Sequence, residues 1–292
     1  MNIKHNPPAG FLDAEERCDY FVTAEMKKVW AVQIDLVLEI QRVCDKYGLK
    51  VYAEGGTLIG AVRHKGYIPW DDDIDLAMMR DDYDKLVAVA GEEFEQPYFF
   101  QTVYSDEHYM HRHAQLRNSS TAAWSRDGKP EKCNSGIFVD IFVLDRQPSD
   151  PRHIRKHERR VWKAKQRLKF VSKFINTLPV PVYRFLRNHV PCLSDKCLFA
   201  RYEAVMRSVP ARKSYYVSSM ACRTSAELKY IGWYDDSFLM DFEYIKLRVM
   251  KNYDETLRVQ YGDWRTPVKS PTLHGAMVFD TDHGYKELFA KR

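Results

Sequence analysis

The feature that most constrains the fold of this chain is a carboxylate in the middle of its most strongly β-forming run. Residues 136–145 read GIFVDIFVLD, a density of β-branched and aromatic residues that is typical of a buried strand. Asp140 lies at the centre of this run, where a carboxylate without a partner is costly to bury. It therefore needs a basic partner, such as an arginine in a structural ion pair, or a metal ion shared with other acids. We favour the metal, although the sequence alone does not place a second acidic strand beside this one.

A second group of carboxylates stands immediately before another apolar run. Four aspartates occur within five residues: Asp71, Asp72, Asp73 and Asp75. In an extended chain, residues two apart point to the same side, so Asp71, Asp73 and Asp75 are predicted to project together. Converging carboxylates repel one another, and a hard cation such as Mg²⁺, or Mn²⁺ in its place, prefers these oxygen ligands. A solvated polar turn is the alternative, but the apolar residues around Asp75 argue against it.

The segment before the acidic group has the features of an anion site. Gly55 and Gly56 allow the backbone to approach a ligand closely, and Thr57 begins a predicted helix whose free N–H groups favour negative charge. Three cationic or titratable side chains then precede the acidic turn: Arg63, His64 and Lys65. Each of these three, taken alone, is equally well explained by a solvated basic turn. Together with the carboxylates, the stretch from Glu54 to Asp75 describes a site for a phosphate group and a metal ion.

The wider pattern predicts an α/β (α+β) protein with a mixed sheet core and an added, mainly helical region. The predicted core elements are a helix at 23–47, strands at 49–53 and 74–79, helices at 58–63 and 81–93, and short strands after Pro97. From Pro151 onward the pattern is mainly helical, so we divide the chain into a catalytic core at 1–148 and a helical region at 149–292, which can also form one continuous domain. With 45% hydrophobic and 29% charged residues, the composition excludes disordered and collagen-like chains.

The cysteines and the apolar runs bear on the compartment. None of the six cysteines forms a CxxC pair or a zinc-finger spacing, so we expect free thiols in a reducing environment. The N-terminal residues lack the apolar centre of a signal peptide, and no run approaches the ~18 apolar residues of a spanning helix. These features predict a cytoplasmic protein.

The positive charge of the chain is concentrated in one segment. Residues 152–173 carry ten Lys or Arg and one acid, a net charge of +9, whereas the whole chain carries +5 and the remainder therefore −4. A basic stripe recurs at helical spacing along Arg152, Arg155, Lys156, Arg159, Arg160, Lys163 and Arg167, and an apolar stripe along Ile154, Val161, Ala164, Leu168, Val171, Ile175 and Leu178. We expect the apolar stripe to pack on the core. The basic face is either solvated or binds an anionic partner, and its confinement to one helix argues against nucleic acid.

The central motifs together resemble the LicD family. The run EGGTLIGAVRHKGYIPWDDDIDLAM, then Asp82-Tyr83, VDIFVLD and later YGDW carry this resemblance, over residues 25–148 and again over residues 261–274. The family includes bacterial lipopolysaccharide and teichoic-acid cholinephosphotransferases and is related to the fukutin-type phosphosugar transferases. The resemblance implies a nucleotidyltransferase-like fold in which a glycine-led helix follows the first strand. It assigns that helix to Gly56 and Thr57, the Asp-x-Asp pair to Asp73 and Asp75, and the third carboxylate to Asp140.

The resemblance also implies a reaction and its partners. A phospho-alcohol group would pass from a CDP-activated small alcohol, most typically CDP-choline, to a sugar hydroxyl of a cell-surface glycan precursor, and CMP would be released. Asp140 would complete the metal site or accept the proton of the attacking hydroxyl, while Arg63 and Lys65 would stabilise charge on the transferring group. Asp71 would be a further metal ligand. Family acceptors are commonly built on lipid carriers, which favours an anionic inner membrane surface or an anionic lipid-linked glycan acceptor as the partner of the basic helix. Near such a membrane surface, each basic residue contributes about 1 kcal/mol to binding.

The C-terminal motif and the aromatic residues add further candidates. The YGDW loop is predicted to face the site, with Asp263 and His274 as binding contacts. Aromatic cages hold quaternary ammonium groups, and the candidate choline contacts are Tyr67, Trp70, Trp124, Trp233 and Trp264. Two alternative functions are a glycosyltransferase that uses the Asp-x-Asp pair on a nucleotide-sugar, and a module that binds nucleotides or membranes without catalysis. The first leaves the GGTLIGA helix and Asp140 unexplained, and the second leaves the full carboxylate set unexplained.

Overall fold

The computed structural model describes residues 1–126, 132–219, 228–268 and 277–289 of the 292-residue chain. Its α-helices are α1 (Ala24–Tyr47), α2 (Gly55–Ile59), α3 (Arg80–Glu93), α4 (Pro151–Asn176), α5 (Val180–His189), α6 (Asp195–Met206), α7 (Tyr253–Tyr261) and α8 (Tyr285–Phe289). A π-helix at Gly60–His64 continues α2, and short 3₁₀ turns occur at Pro191–Leu193, Ala211–Lys213 and Ile231–Tyr234. Its strands are β1 (Glu15–Arg17), β2 (Tyr20–Val22), β3 (Tyr52–Ala53), β4 (Asp75–Met79), β5 (Tyr98–Gln101), β6 (Ala114–Asn118), β7 (Ala122–Ser125), β8 (Ile137–Gln147), β9 (Tyr216–Ser219), β10 (Lys229–Tyr230), β11 (Ser237–Phe242), β12 (Ile245–Met250) and β13 (Met277–Asp280).

Helix α1 forms the buried support of the sheet. The Thr23 hydroxyl accepts a hydrogen bond from the Met26 N–H (3.2 Å) and caps its start, and Gly48, in the left-handed region at φ 64°, ends it. Trp30 and Ile40 are both fully buried on its apolar face. The predicted helix at 23–47 is therefore confirmed.

Strand β8 is the centre of the main sheet. Along its eleven residues it pairs antiparallel with β6, parallel with β4 and antiparallel with β9, and the strand order along the main path is β10-β9-β8-β4-β3. Its apolar residues pack on both faces, and Val139 and Ile141 are fully buried. The mixed sheet and its flanking helices confirm the predicted α/β class.

Helices α4 and α6 form a second layer beside this sheet. The apolar stripe of α4 packs on α6, and Val161 and Leu168 are buried with Tyr202 in one cluster, as predicted. A buried ion pair ties this layer to the core, because the Arg80 guanidinium donates to both carboxylate oxygens of Asp145 on β8 (2.8 and 2.7 Å) and to Glu203 on α6 (2.7 Å).

The described residues after 148 contain more helix than strand, as predicted, but residues beyond 210 also form strands that the sequence pattern did not indicate. Strands β9 and β10 extend the main sheet, and the β11–β12 hairpin buries Phe242 and Leu247 in the main core. Residues 245–250 read IKLRVM and begin by alternating buried with less buried side chains, a period-2 pattern that identifies a strand rather than a helix. The main sheet thus contains strands from both sides of residue 148. The division of the chain into two regions at that residue stays a prediction.

Two further observations concern the helices and the cysteines. Among the described residues, the helices lack the combination of length and apolar character needed to cross a bilayer. Cys18, Cys44, Cys133, Cys192 and Cys197 are free thiols. Cys222 lies outside the described residues.

The buried ion pair of Arg80 predicts a large stability effect. Arg80→Ala is expected to lower the free energy of unfolding by about 3–5 kcal/mol, because the Asp145 carboxylate would stay buried without its cationic partner. Arg207→Ala is the matched control, since Arg207 binds the more exposed Asp84 and should cost about 0–1 kcal/mol. Urea denaturation measures both values, and equal losses in the two variants would contradict the assignment.

Candidate active site

The pairing of β4 with β8 brings two carboxylates side by side. Asp75 and Asp140 are directly opposed in the parallel register, and the Asp140 N–H donates to the Ile74 carbonyl (2.9 Å). The two acidic strands are therefore neighbours, a pairing that the sequence alone did not establish. Asp140 also has protein partners: its Oδ1 accepts a hydrogen bond from Gln115 Nε2 (2.6 Å) and lies 3.3 Å from His113 Nε2.

The other aspartates lie on a loop and not on the strand. Strand β4 begins at Asp75, so the two-residue alternation of a strand does not apply to the residues before it. Carboxylate oxygens of Asp71, Asp72 and Asp73 nevertheless lie within 4.8 Å of one another. Asp72, which the alternation leaves out, is thus part of the group.

Helix α1 fixes the backbone of this acidic loop. Trp30 Nε1 donates to the Asp71 carbonyl (3.1 Å), and Gln33 Nε2 donates to the Asp72 carbonyl (2.8 Å). Tyr67 stacks on Trp30 with ring centroids 4.3 Å apart, and its hydroxyl donates to Gln33 Oε1 (2.9 Å). The buried face of α1 therefore sets the position of the carboxylates, and Tyr67 has this structural role.

The two glycines make room for the carboxylates. Gly55 has φ +56°, and a Cβ there would lie 2.8 Å from Asp75 Oδ2, whereas a Cβ on Gly56 would lie 2.7 Å from Asp71 Oδ2. Thr57 Oγ1 accepts a hydrogen bond from the Asp75 N–H (2.8 Å). The helix begins at Gly55 and not at Leu58 as predicted, and these close approaches exclude larger side chains from its first turn.

A cavity of about 360 Å³ opens onto this arrangement. Its acidic and small residues are Asp71, Asp73, Asp75, Asp263 and Gly56, and its aromatic and cationic residues are Trp70, Tyr261, Trp264 and Arg63. Of the five candidate choline contacts, Trp70 and Trp264 line the cavity. Trp124 lies on β7, paired with β13, and Trp233 packs against the main core.

The predicted cationic residues occupy different positions. Arg63 lines the cavity, where its Nη1 donates to the Trp264 carbonyl (2.8 Å) and its Nε to His64 Nε2 (2.9 Å). Burial lowers the pKa of Arg63. Lys65 is exposed and lies outside the cavity lining, and its carbonyl accepts a hydrogen bond from the Glu243 N–H (2.8 Å).

The C-terminal candidates are only partly within the described residues. Asp263 lines the cavity, and its Oδ2 accepts a hydrogen bond from the Thr266 hydroxyl (2.8 Å). The α7–Trp264 segment thus forms one wall of the cavity, where the YGDW loop was expected. His274 lies outside the described residues.

The two strand carboxylates have opposite electrostatic surroundings. Burial, followed by the negative charges of Asp73, Asp140 and Asp71, raises the pKa of Asp75 well above its ordinary value. Burial also acts to raise the pKa of Asp140, but the charge and hydrogen bond of His113, with the hydrogen bond from Gln115, outweigh it and lower that pKa. Asp140 is therefore held in its ionised form, whereas Asp75 is destabilised in that form.

A buried ion pair between Glu54 and Lys229, next to Gly55 in the chain, could not be predicted from the sequence. Glu54 Oε1 accepts hydrogen bonds from Lys229 Nζ and from Gln260 Nε2 (2.6 Å), and Lys229 is 1% exposed. The Glu54 N–H in turn donates to the Asp75 carbonyl (3.0 Å). The position of Glu54 at the end of a predicted strand marks it as a candidate site residue. No local sequence pattern points to its partner Lys229, which is 175 residues away.

The donor set fits a hard divalent cation. Its groups are carboxylate oxygens, which such cations prefer. Asp71, Asp72 and Asp73 each bring one oxygen within 4.8 Å of the others. Asp75 and Asp140 are not part of that triad, but the charges of Asp73, Asp140 and Asp71 add to burial in raising the pKa of Asp75. The residues that would hold the cation are Asp71, Asp73, Asp75 and Asp140.

Comparison with known proteins agrees with this site. The LicD/FKTN/FKRP nucleotidyltransferase-domain family matches residues 48–192. This range contains Gly55, Gly56, the acidic loop and β8, and it continues through α4 and α5. The chain is 29% identical over 239 residues to lipopolysaccharide cholinephosphotransferase LicD of Haemophilus influenzae, which covers 76% of this chain and 84% of that protein. It is also 30% identical over 83 residues to human ribitol 5-phosphate transferase FKRP, covering 24% of this chain and 17% of that protein. Residues 48–192 of this chain therefore form a domain of the LicD family.

Proposed function

We propose that this chain, which is a LicD-type phosphotransferase, transfers a phospho-alcohol group from a CDP-activated small alcohol to a sugar hydroxyl of a glycan precursor. The observation that carries the proposal is the meeting of Asp71, Asp73 and Asp75 in one cavity, with Asp140 beside Asp75 on the adjacent strand. Four carboxylates in this arrangement suit a metal-bound diphosphate better than they suit any neutral ligand. The relatives named for cholinephosphate and ribitol 5-phosphate transfer support the same reaction class.

The proposed cofactor is Mg²⁺, or Mn²⁺ in its place, held by Asp71, Asp73, Asp75 and Asp140. When bound, the cation would neutralise the diphosphate of the donor and the negative charge of the departing CMP. The lowered pKa of Asp140 supports a role as ligand more strongly than a role as proton acceptor, because a general base works best with a pKa near the operating pH.

The transfer itself asks mainly for positioning. The sugar hydroxyl oxygen forms a bond to the phosphorus that carries the alcohol, the bond from that phosphorus to the CMP oxygen breaks, and CMP leaves with the electron pair. The proton of the hydroxyl passes to solvent water. Arg63 lines the cavity and would stabilise charge on the transferring phosphoryl group. A similar role for Lys65 rests on the motif, since its side chain lies outside the cavity lining. Asp263 and His274 remain proposed contacts of the donor.

The donor alcohol we propose first is choline. The cavity is lined by aromatic as well as acidic side chains, and the aromatic ones are Trp70, Tyr261 and Trp264. Aromatic faces attract quaternary ammonium groups. The proposed acceptor is a lipid-linked glycan, and no nucleic acid partner is proposed. A thermal-shift panel of CDP-choline, CDP-ethanolamine, CDP-ribitol and UDP-glucose with Mg²⁺ tests the donor class. We expect at least one CDP-alcohol to stabilise the protein, and stabilisation by UDP-glucose alone would favour a nucleotide-sugar transferase.

Removing one carboxylate of the cavity should remove turnover. Asp73→Asn is expected to lower the rate of CMP release from the most stabilising CDP-alcohol by at least about 100-fold, because the cation would lose a charged ligand. Asp81→Asn, an exposed aspartate at the start of α3, is the matched control and should leave the rate unchanged. Equal rates in Asp73→Asn and wild type would sink the proposed role of this residue.

The pKa of Asp75 predicts how stability depends on pH in metal-free protein. Because the pKa of the folded state is raised above the ordinary value, the contribution of Asp75 to stability is fully present below that ordinary value and is lost as pH rises through the raised pKa. Asp75→Asn does not titrate at this position, so the metal-free variant should melt at a higher temperature than wild type at pH 8 and not at pH 3. Calorimetry in EDTA measures both melting temperatures.

The same pair of proteins tests the metal. Addition of Mg²⁺ at pH 8 should raise the melting temperature of wild type and have little effect on Asp75→Asn, since a cation that binds only the folded state stabilises it by mass action. The opposite order, with the variant gaining more from Mg²⁺ than wild type, is incompatible with a metal ligand at Asp75. Asp81→Asn again serves as the control and should behave as wild type.

A further inference from the structure

We propose that the outer face of α4, continued by the start of α5, docks on a phospholipid bilayer that contains anionic lipids. We call this surface the α4–α5 face and define it by the basic residues of 152–173 and the exposed Trp162, Phe170, Phe174, Val182 and Phe185. The inference does not rest on the proposed reaction, because the α4–α5 face lies outside the catalytic cavity.

One side of α4 packs against the protein, so the opposite side is exposed to solvent. Ile154, His157, Val161 and Leu168 follow one another at intervals of three, four and seven residues and are buried. That side of the helix is used by contacts with α6 and the core. At 3.6 residues per turn, the residues half a turn away must face outward, and Arg152, Arg159 and Phe170 are all exposed.

The outward side is mainly basic over most of its length and mainly aromatic toward its C-terminal end, and Trp162 is an exposed aromatic residue among the basic ones. Its basic residues dominate from residue 152 to residue 169, where one acid accompanies nine Lys or Arg. Phe170 is 73% and Phe174 56% exposed, and their rings stack one helical turn apart with centroids separated by 6.4 Å. Phe185 on α5 is 59% exposed. Single exposed aromatic residues are ordinary on protein surfaces, but a group of them at the end of a basic stripe marks an interaction site.

A cationic cavity lies along one flank of the α4–α5 face. It encloses about 520 Å³ at the start of α4 and is lined by Lys156 and Arg160 on the helix and by Lys213 on the facing turn. A phosphate headgroup has the charge that this lining would attract, and Asp150 is the one carboxylate of the lining. The cavity gives the basic part of the face a concave position for a headgroup.

A bilayer matches this division better than other anionic partners do. Basic side chains bind the headgroups of anionic lipids, while exposed aromatic side chains enter the interface beneath them. A nucleic acid would supply phosphates along the whole face but no apolar layer for the aromatic part. The rest of the chain carries −4, so it does not favour wrapping by a long polyanion.

Vesicle flotation of the full-length chain tests the docking. Wild type should bind vesicles of phosphatidylcholine with one third phosphatidylglycerol at least about tenfold more tightly than vesicles of phosphatidylcholine alone, and added salt should weaken the binding. The double variant Phe170→Ser/Phe174→Ser should lose most of this binding while keeping its far-ultraviolet circular dichroism. Phe21→Ser/Phe238→Ser removes two exposed phenylalanines elsewhere and is the matched control, with binding as in wild type.

A charge variant completes the test. Arg155→Glu/Arg159→Glu should abolish the preference for anionic vesicles, and Lys85→Glu/Lys251→Glu should preserve it, since those lysines are exposed but distant in sequence from α4. Equal binding of wild type to both vesicle types would overturn the proposal. So would full binding by the Phe170/Phe174 double variant, or a tighter association with duplex DNA than with the anionic vesicles.

Discussion

Electrostatic repulsion between carboxylates on two neighbouring strands is the constraint around which this fold is organised. Asp75 and Asp140 are opposed in the parallel register of β4 and β8, and the loop before β4 adds Asp71, Asp72 and Asp73. Such a group destabilises a folded chain unless other interactions hold it in place, and natural proteins accept this kind of local cost at functional sites. The surrounding structure supplies those interactions.

The supports come from elements far apart in the sequence. Trp30 and Gln33 of α1 bind the carbonyls of the acidic loop, and Gln115 of β6 binds Asp140. The buried ion pair of Glu54 and Lys229 holds the residue that precedes Gly55 and Gly56. Each support fixes a backbone or a carboxylate without neutralising the whole group, which leaves an acidic cavity suited to a cation and a diphosphate. Rigid preorganisation of this kind is what phosphoryl transfer requires, since the protein contributes mainly position and charge.

The parts of this arrangement that could be predicted from the sequence are those with local signals. The cap and stop of α1, the strand around Asp140 and the apolar stripe of α4 follow from residue patterns within a few turns, and all are confirmed. Long-range pairing could not be read this way, so the contacts of Asp140 with His113 and of Glu54 with Lys229 were not found. The strands after residue 210 were missed because they are only two to six residues long, too short to show a clear two-residue alternation. Asp71, Asp73 and Asp75 line one cavity as expected, but Asp71 and Asp73 reach it from a loop that α1 holds in place and not through strand alternation.

The central claim is that these carboxylates receive a cytidine diphosphate group through a divalent cation. Calorimetric titration of cytidine diphosphate, the part common to all CDP-activated alcohols, into the full-length chain tests this claim most directly. We predict saturable binding in Mg²⁺ that disappears in EDTA and in Asp140→Asn. Binding of equal affinity in EDTA, or undiminished binding by Asp140→Asn in Mg²⁺, would contradict it.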